Sequence, residues 1–370
     1  VKRPCDVVED ILRIYGYNNV EIPTTLKSSL SIKSAIDQSQ KLQNIVGEQL
    51  VGCGFNEILN NSLTKAAYYD GLESYKSDNL VRLLNPLSAD LNVMRQTLLF
   101  GGLESIRRNA NRKNADLRFF EYGNCYYFHG ENRREAAPAV DTCVEGIQKP
   151  DTKAILSPYS EDAHLALWLT GKRIQNSWAH PDLASSVYEL KGYVENIFTR
   201  VGLQRSALVV GNLKDDIYSA ALTFHTRGGK LIATVGIVSK KITHAFDIDG
   251  EVYYADINWT TLMKAVRSTT VTYSDLSRFP AVRRDLALLL DKSVPFADVE
   301  RVAFETERKL LKDVTLFDVY EGKNLEPGKK SYAVSFILQD EAQTLSDKVI
   351  EKTMSRLVAA YEQKLGAKLR

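Results

Sequence analysis

Three carboxylates near the start of the chain could bind a divalent cation. Asp6, Glu9 and Asp10 stand at positions i, i+3 and i+4 of a segment, CDVVEDILRIY, whose apolar residues recur with helical spacing. On a helix these carboxylates would share one face, and a hard cation with oxygen ligands, such as Mg²⁺, would relieve their repulsion. The alternative is a solvated acidic first turn that the helix dipole favours, and spacing alone makes this alternative the more common one.

A second set of residues, in the last hundred positions, could contact RNA. Residues 271–370 contain 17 Lys/Arg against 16 Asp/Glu, so they create no general attraction for phosphates. Recognition would need aromatic stacking and a few placed cations, as in the binding of single-stranded RNA loops. The candidates are Phe279, Arg283, Tyr320, Lys330 and Tyr332. Each has a structural alternative: Phe279 can belong to a core, and Arg284 with Asp285 can form a local ion pair of little energetic value.

Several other kinds of chemistry have no support in the sequence. There is no P-loop and no G-x-G-x-x-G, and the histidines and cysteines lack zinc-ligand spacing. The four cysteines show no regular spacing, which is typical of a reducing compartment. With 44% hydrophobic and 25% charged residues, no signal peptide and no apolar run of eighteen residues, we expect a soluble cytoplasmic protein without a membrane span.

The elements that must position these residues are clearest from Asn79 to Gly123. Apolar runs at 80–84 and 91–94 predict two strands, separated by the Asn85-Pro86 turn. Thr97 is placed to cap a helix that runs to Ala110, and residues 117–122 predict a strand that Gly123 can bend or bulge. The polar face of the helix would carry four cations, Arg107, Arg108, Arg112 and Lys113. They could touch an RNA backbone or acidic groups of a partner, although a solvated face is the simpler interpretation for each.

Around this stretch the chain alternates between helical and extended patterns. Helices are predicted at 5–15, 41–53, 186–201 and 259–266, and strands at 55–63, 165–170, 222–225, 231–238 and 252–257. Residues 21–38 and 129–162 predict a linker and a long loop. The strands 222–225 and 231–238 are predicted to form a hairpin across Arg227-Gly228-Gly229. Antiparallel hairpins with flanking helices indicate an α+β domain.

A distinct block follows a boundary at residues 268–273. The predicted order is strand 285–290, helix 296–310, strands 314–320 and 331–339, helix 347–365 and strand 367–370. This β-α-β-β-α-β order is that of a ferredoxin-like fold.

These patterns resemble one known family. Asn85-Pro86-Leu87-Ser88, Met94-Arg95 and Phe120-Glu121-Tyr122-Gly123 are similar to the synthetase-like core of bacterial phenylalanyl-tRNA synthetase β subunits. Residues 278–285 (RFPAVRRD), 317–320 (FDVY), Lys330-Ser331, Thr344-Leu345 and 366–370 (GAKLR) resemble the ferredoxin-fold anticodon-binding domain of the same subunit. One departure is Phe100-Gly101-Gly102, where the family usually has Leu-Pro-Gly; two mid-helix glycines cost roughly 1 kcal/mol each relative to Ala.

The resemblance implies three parts. Residues 1–22 would be the C-terminal remnant of a preceding domain, 23–270 a class II synthetase-like antiparallel core, and 271–370 the anticodon-binding domain. Catalytic class II cores carry a G-x-G-x-G-x-[ED]-R motif and an arginine for the α-phosphate; the Gly-rich motif is absent from this sequence, so we predict no catalytic residues. The family assigns Asp6, Glu9 and Asp10 to Mg²⁺ together with an Asp that would precede Val1, so we expect at best an incomplete site in a portion of a longer subunit.

The implied function is a contribution to phenylalanine–tRNA ligase. The chain would support assembly with an α subunit in an α₂β₂ heterotetramer and would bind the anticodon region of tRNA, while the α subunit uses ATP to charge the tRNA. One alternative is an autonomous adenylating enzyme, which the missing Gly-rich motif disfavours. Another is a free-standing RNA-binding or scaffold module, which the nearly neutral C-terminal block mildly disfavours.

Overall fold

The chain divides into two compact units, Val1–Val271 and Thr272–Arg370. The structure, a computed structural model, describes residues 3–22, 24–25, 35–130, 156, 158–267, 273, 275–322 and 325–369. The described residues form two hydrophobic clusters in the first unit and one in the second. None of the helices in these ranges is long and apolar enough to cross a membrane.

The first unit combines helices with mostly antiparallel strands. Its described helices are α1 (Pro4–Tyr15), α2 (Ala35–Gly52), α3 (Leu99–Ala110), α4 (Val187–Arg200), α5 (Lys240–Ala245) and α6 (Trp259–Val266). Its described strands are β1 (Asn56–Glu57), β2 (Leu63–Thr64), β3 (Val93–Met94), β4 (Arg118–Phe128), β5 (Tyr159–Thr170), β6 (Lys172–Ile174), β7 (Leu183–Ala184), β8 (Leu208–Leu213), β9 (Tyr218–Thr226), β10 (Leu231–Val238) and β11 (Val252–Asn258).

Seven of these strands form one sheet with helices on both faces. The order is β1-β4-β5-β11-β10-β9-β8, and every neighbouring pair is antiparallel except β1 with β4. Alternate side chains of β5 point to opposite faces, as the two-residue period of a strand requires. Leu165, Leu167 and Leu169 pack in one cluster with α2, α4 and α6, whereas Ala166 and Trp168 pack in the other with α3 and α5.

A glycine lets α3 approach this sheet closely. A Cβ atom on Gly102 would lie 2.1 Å from the indole of Trp168 on β5, so no larger residue fits without movement. Glycine destabilises the interior of a helix by about 1 kcal/mol relative to Ala. At position 102 this loss allows α3 to pack directly against Trp168.

Most of the predicted elements of the first unit are confirmed, with several corrections. α6 has the predicted bounds, and β9 with β10 forms the predicted hairpin. Residues 80–84 do not form the predicted strand, because only Arg82 bridges to Val93 and Leu84 is exposed. Between 55 and 63, only Asn56–Glu57 and Leu63 lie in strands.

The other corrections concern element ends and four missed helices and strands. α2 begins at Ala35, inside the predicted linker, and β5 begins at Tyr159, inside the predicted loop. Residues 131–155 of that loop lie outside the described ranges. The sequence pattern did not predict β6, β7, β8 and α5.

The second unit has the predicted ferredoxin-like order. Its elements are β12 (Val282–Asp291), α7 (Phe296–Thr306), β13 (Leu311–Tyr320), β14 (Lys329–Leu338), α8 (Asp347–Leu365) and β15 (Lys368–Leu369). The sheet order is β13-β14-β12-β15, with antiparallel pairs, and both helices contribute to one core with Leu288, Val334 and Phe336. The α+β class and the β-α-β-β-α-β order are thus confirmed.

The helix α7 ends four residues before its predicted end. Glu307 takes an extended backbone conformation, and its Oε1 accepts hydrogen bonds from the backbone N–H groups of Lys309 and Leu310. These bonds turn the chain into β13. The helix α8 has the predicted bounds and ends at Gly366, whose φ of 61° is a left-handed conformation that favours glycine.

Candidate nucleic-acid interface and supporting ion pairs

Arg283 and Phe317 form a cation–aromatic pair on the sheet of the second unit. The guanidinium carbon of Arg283, on β12, lies 5.4 Å from the centroid of the Phe317 ring on β13. The Arg283 side chain is 58% exposed and Phe317 is 53% exposed, so both can reach a ligand. Such a pair offers a π-face for a base and a cation for a phosphate.

A carboxylate fixes the orientation of Arg283. Arg283 Nε and a terminal nitrogen donate to the two oxygens of Asp285, at 3.0 and 3.3 Å, and Ser335 Oγ donates to Asp285 Oδ1 at 2.5 Å. The hydrogen bond from Arg283, reinforced by that from Ser335, lowers the pKa of Asp285 below its ordinary value. The ion pair therefore restricts an exposed arginine that would otherwise sample many rotamers.

Phe279 and Tyr320 lie at the surface of the same unit. Tyr320 is 36% exposed, and its ring lies against Gly322, where a Cβ atom would be 2.2 Å from the ring. Phe279 is half-buried, and its carbonyl oxygen accepts a hydrogen bond from Gln339 Nε2 at 2.7 Å. Their contact with RNA stays a prediction.

Lys330 and Tyr332 lie in the interior of the second unit. Lys330 is 6% exposed, donates from Nζ to the carbonyl oxygen of Lys292 at 2.9 Å and lies over the Tyr332 ring at 4.5 Å. Tyr332 is 7% exposed and packs edge-on against Phe296. Because burial leaves these side chains little surface, the structure gives no support to their proposed contact with RNA.

Phe317 was missing from the candidates, although strand alternation could have identified it. Val314 and Leu316 point into the core of the unit, so Thr315 and Phe317 are expected on the opposite face of β13. Phe317 belongs to the FDVY motif of the family resemblance, and the motif by itself assigns it no role.

The three N-terminal carboxylates lie on α1, as predicted, and two of them pair with arginines. Asp6 Oδ1 is 3.0 Å from a terminal nitrogen of Arg3, and Glu9 Oε1 is 2.9 Å from one of Arg13. Across the described residues, no group of three or more His, Cys, Asp or Glu side chains is arranged to hold a metal ion. The donor set of α1 by itself therefore does not fit Mg²⁺, and the predicted site would need further ligands.

The four cations predicted on the polar face of this helix lie in a solvated setting. Only Arg107 and Arg108 lie on the helix, because α3 ends at Ala110 and Arg112 and Lys113 belong to the turn that follows. Arg108, Arg112 and Lys113 are exposed, and Arg107 is half-buried near Tyr68. Nothing in the described ranges forms a hydrogen bond or ion pair with the three exposed side chains. Their geometry favours the solvated interpretation.

Two motif residues of the first unit meet in a buried ion pair. Arg95 and Glu121 are 5% and 0% exposed, and their side chains approach to 2.8 Å. Asn60 donates to both oxygens of Glu121, at 3.1 and 2.6 Å, while Arg95 Nε donates to the carbonyl oxygen of Asn124 at 3.0 Å. These bonds satisfy both charges and connect the segment between β3 and α3 to β4.

Gly123 leaves the space that Arg95 occupies. A Cβ atom at Gly123 would lie 2.1 Å from a terminal nitrogen of Arg95. The predicted bend at Gly123 is wrong, because β4 continues through it to Phe128. The motif Phe120-Glu121-Tyr122-Gly123 thus forms a contact that supports the fold, and none of its side chains is exposed.

Family models match both units. Residues 22–259 match the phenylalanyl tRNA synthetase beta chain CLM domain, which covers more than half of the chain. The chain belongs to the phenylalanyl-tRNA synthetase β-chain family. Residues 277–370 match the ferredoxin-fold anticodon binding domain, in agreement with the sheet order of the second unit.

Relatives in this family align over the whole chain. Phenylalanine–tRNA ligase beta subunits of Bacteroides fragilis and Bacteroides thetaiotaomicron are 69% and 67% identical over 370 residues, and that of Porphyromonas gingivalis is 48% identical. Each alignment covers 100% of this chain and 43% of the relative. The chain therefore spans less than half the length of the curated relatives it matches.

A solved structure gives a weaker match. The crystal structure of pyrrolysyl-tRNA synthetase from Desulfitobacterium hafniense aligns with a TM-score of 0.42 and 12% identity, over 62% of this chain and 70% of that one. This likeness is too weak to support an assignment.

Proposed function

We propose that this chain supplies assembly and tRNA-binding functions to a phenylalanine–tRNA ligase, whose catalytic reaction joins phenylalanine to tRNA with ATP. The proposal rests on the family match of both units, together with the name of the relatives, phenylalanine–tRNA ligase beta subunit. The enzyme would be a cytoplasmic α₂β₂ heterotetramer, in which the α subunit binds ATP and Mg²⁺. This chain would contribute no catalytic residue.

The second unit would bind the anticodon region of tRNA. Its match to an anticodon-binding domain supports this role, and the Arg283–Phe317 pair supports a specific surface for it. Phe317 would stack on an unpaired base, and Arg283 would face the phosphate backbone. Phe279 and Tyr320 would extend the same contact.

The first unit would act as a class II synthetase-like scaffold. Its antiparallel seven-stranded sheet with helices on both faces supports this fold, and the burial of Arg95 and Glu121 supports a structural use of its motif residues. Phosphate binding by Arg95 would require breaking a buried pair, which typically costs about 3–5 kcal/mol. The scaffold would therefore serve assembly.

Exposed aromatic residues give the first unit candidate contacts with the α subunit. Trp178 is fully exposed between β6 and β7, where Ser177 N–H donates to the carbonyl oxygen of His180 at 3.0 Å, and Tyr188 is 81% exposed on α4. Aromatic anchors of this kind often dominate the energy of protein interfaces.

The test is reconstitution with the matching α subunit. The chain and the α subunit are co-expressed, the complex is sized by light scattering, and phenylalanylation is assayed for the mixture and for each part. We expect a stable complex and no adenylation by this chain alone. Failure to associate, or ATP–pyrophosphate exchange by the isolated chain, would contradict the proposal; RNA binding without association would favour a free-standing RNA-binding module.

A further inference from the structure

A cavity of about 560 Å³ opens on the sheet of the first unit. It lies on the sheet face that α3 also covers: on β5, Trp168 packs under α3, while His164 and Asp162 on the same face line the cavity. A cavity of this volume can enclose a small organic molecule.

The lining has the chemistry of a site for a cation. Three of the described lining residues are carboxylates, Asp162, Asp215 and Asp256, and none is Lys or Arg. The guanidinium of nearby Arg95 is committed to Glu121 and to backbone carbonyls. The summed charge repels phosphates and attracts a cation, and the effect is strongest in a partly enclosed space.

Two polar groups in the lining are available to a ligand. His164 is 7% exposed, and its Nδ1 lies 2.6 Å from Asp256 Oδ1, whereas its Nε2 has no hydrogen-bond partner in the described part of the chain. Burial disfavours the charged imidazole, but the charge and hydrogen bond of Asp256 outweigh this effect and raise the pKa of His164. Asp162 is half-buried, and its carboxylate likewise has no hydrogen-bond partner among the described residues, although its backbone pairs with β4.

Asp215, in contrast, is committed to the fold. Its Oδ1 accepts hydrogen bonds from the backbone N–H groups of Ile217 and Tyr218, at 3.0 and 2.8 Å. The carboxylates and histidines of the described lining do not converge in a group that could hold a metal ion. Their separation suits an extended organic cation better than a bare ion.

Aromatic rings supply the remaining part of the lining. Tyr75, Tyr127 and Tyr218 line the cavity, and Tyr127 Oη donates to the carbonyl oxygen of Gln96 at 2.7 Å, which fixes its ring. Tyrosine faces attract cations and pack well against another ring.

We propose that this cavity binds a small aromatic amine, whose ammonium group is held by the carboxylates of Asp162 and Asp256 and whose ring packs among Tyr75, Tyr127 and Tyr218. This binding is independent of subunit assembly and of tRNA. It gives the non-catalytic scaffold a ligand site of its own.

Calorimetric titration of the 370-residue chain with 2-phenylethylamine tests the proposal. We expect a dissociation constant below about 1 mM. The neutral 2-phenylethanol and the zwitterion L-phenylalanine, whose carboxylate the aspartates repel, should bind at least about tenfold more weakly. Asp162→Asn should weaken amine binding about tenfold or more, while Asp249→Asn, an exposed aspartate outside the cavity, should leave it unchanged.

The proposal is overturned if 2-phenylethanol binds as tightly as 2-phenylethylamine, or if L-phenylalanine or ATP binds more tightly than the amine. It is also overturned if MgCl₂ at low millimolar concentration displaces the amine, or if Asp162→Asn binds the amine as tightly as the unmodified chain. If Asp162→Asn fails to fold, amide chemical shifts of the unmodified chain can locate the binding site instead. The amine should shift the amide signals of Tyr127, Asn258 and Thr234, which line the cavity, and shifts confined to other residues would contradict the proposed site.

Discussion

The two units each contain an arginine–carboxylate pair built from family motif residues, but the pairs differ in burial. Arg95 and Glu121 in the first unit have side chains 6% and 0% exposed, whereas Arg283 and Asp285 in the second are 58% and 46% exposed. In the buried pair, Asn60 donates a further hydrogen bond to Glu121, and Arg95 donates one to the carbonyl oxygen of Asn124. In the exposed pair, the guanidinium of Arg283 lies over the half-exposed ring of Phe317. The same chemical group thus stabilises a fold in one unit and faces solvent in the other.

The largest expected effect comes from breaking the buried pair. Glu121→Gln leaves Arg95 charged and buried without a counter-ion, and we expect a loss of about 3–5 kcal/mol in the free energy of unfolding. Urea denaturation followed by tryptophan fluorescence measures it, since Trp168 lies in the adjacent cluster. Asp285→Asn is the matched control and should change stability by less than about 1 kcal/mol. A loss below 1 kcal/mol in Glu121→Gln would contradict a structural role for the pair.

The exposed pair should matter for RNA and little for stability. Phe317→Ala should weaken binding of an anticodon stem-loop by about 1–3 kcal/mol, because a stacking ring is lost. Arg283→Ala should weaken it too and should reduce the dependence of binding on salt. Fluorescence anisotropy at several salt concentrations measures both effects.

Arg301 provides a control for Arg283. It lies on α7, its side chain is also 58% exposed, and it also pairs with an aspartate, Asp298. Arg301→Ala should leave RNA affinity nearly unchanged. Equal losses in the two arginine variants would show that charge alone, and no particular face, governs binding.

A smaller effect on stability is expected from closing the space above Trp168. Gly102→Ala places a Cβ atom 2.1 Å from the indole, and the overpacking should cost about 1–3 kcal/mol, reduced by the better helix propensity of Ala. Gly192→Ala, on α4, places a Cβ atom more than 4 Å from every described atom outside its own helix, and it should instead be neutral or stabilising by up to about 1 kcal/mol. Thermal denaturation of both variants checks the contrast, and equal shifts in the two would argue against the close approach of α3.

The smallest effect concerns the titration of Asp285. Because Arg283 and Ser335 lower the pKa of its carboxyl in the folded state, Asp285 stabilises the fold at neutral pH, and this contribution is lost as the pH falls through the folded pKa. An NMR titration should give a pKa for Asp285 below the ordinary aspartate value, and Arg283→Ala should raise it. An unchanged pKa in that variant would mean that Arg283 does not hold the carboxylate.

Local patterns in the sequence predicted most of the fold. The helical period fixed both ends of α6 and α8, and the order of the second unit follows from its strands and helices. The hairpin of β9 and β10 follows from the Arg227-Gly228-Gly229 turn. Short runs such as 80–84 carry too little periodicity to distinguish a strand from an extended loop.

The contacts that define the sites depend on residues distant in the chain. Nothing local indicates that Gly123 makes room for Arg95 or that Gly102 makes room for Trp168. The burial of Lys330 and Tyr332 likewise depends on α7 and its connection to β12, which cover them from another part of the sequence. Residue type alone was enough to select candidates for RNA binding. Which of these candidates are exposed to solvent depends on tertiary packing, which the sequence pattern does not reveal.

In the assembled enzyme, tRNA should contact the exposed pair of the second unit, and the α subunit should contact the first unit. Hydroxyl-radical footprinting with mass spectrometry, on the chain with the α subunit and then with tRNA added, distinguishes these contacts. We expect the α subunit to protect Trp178 or Tyr188 and tRNA to protect Phe317 and Tyr320. Protection by tRNA of the basic residues Arg108 and Arg112, with none at Phe317, would contradict this division of roles.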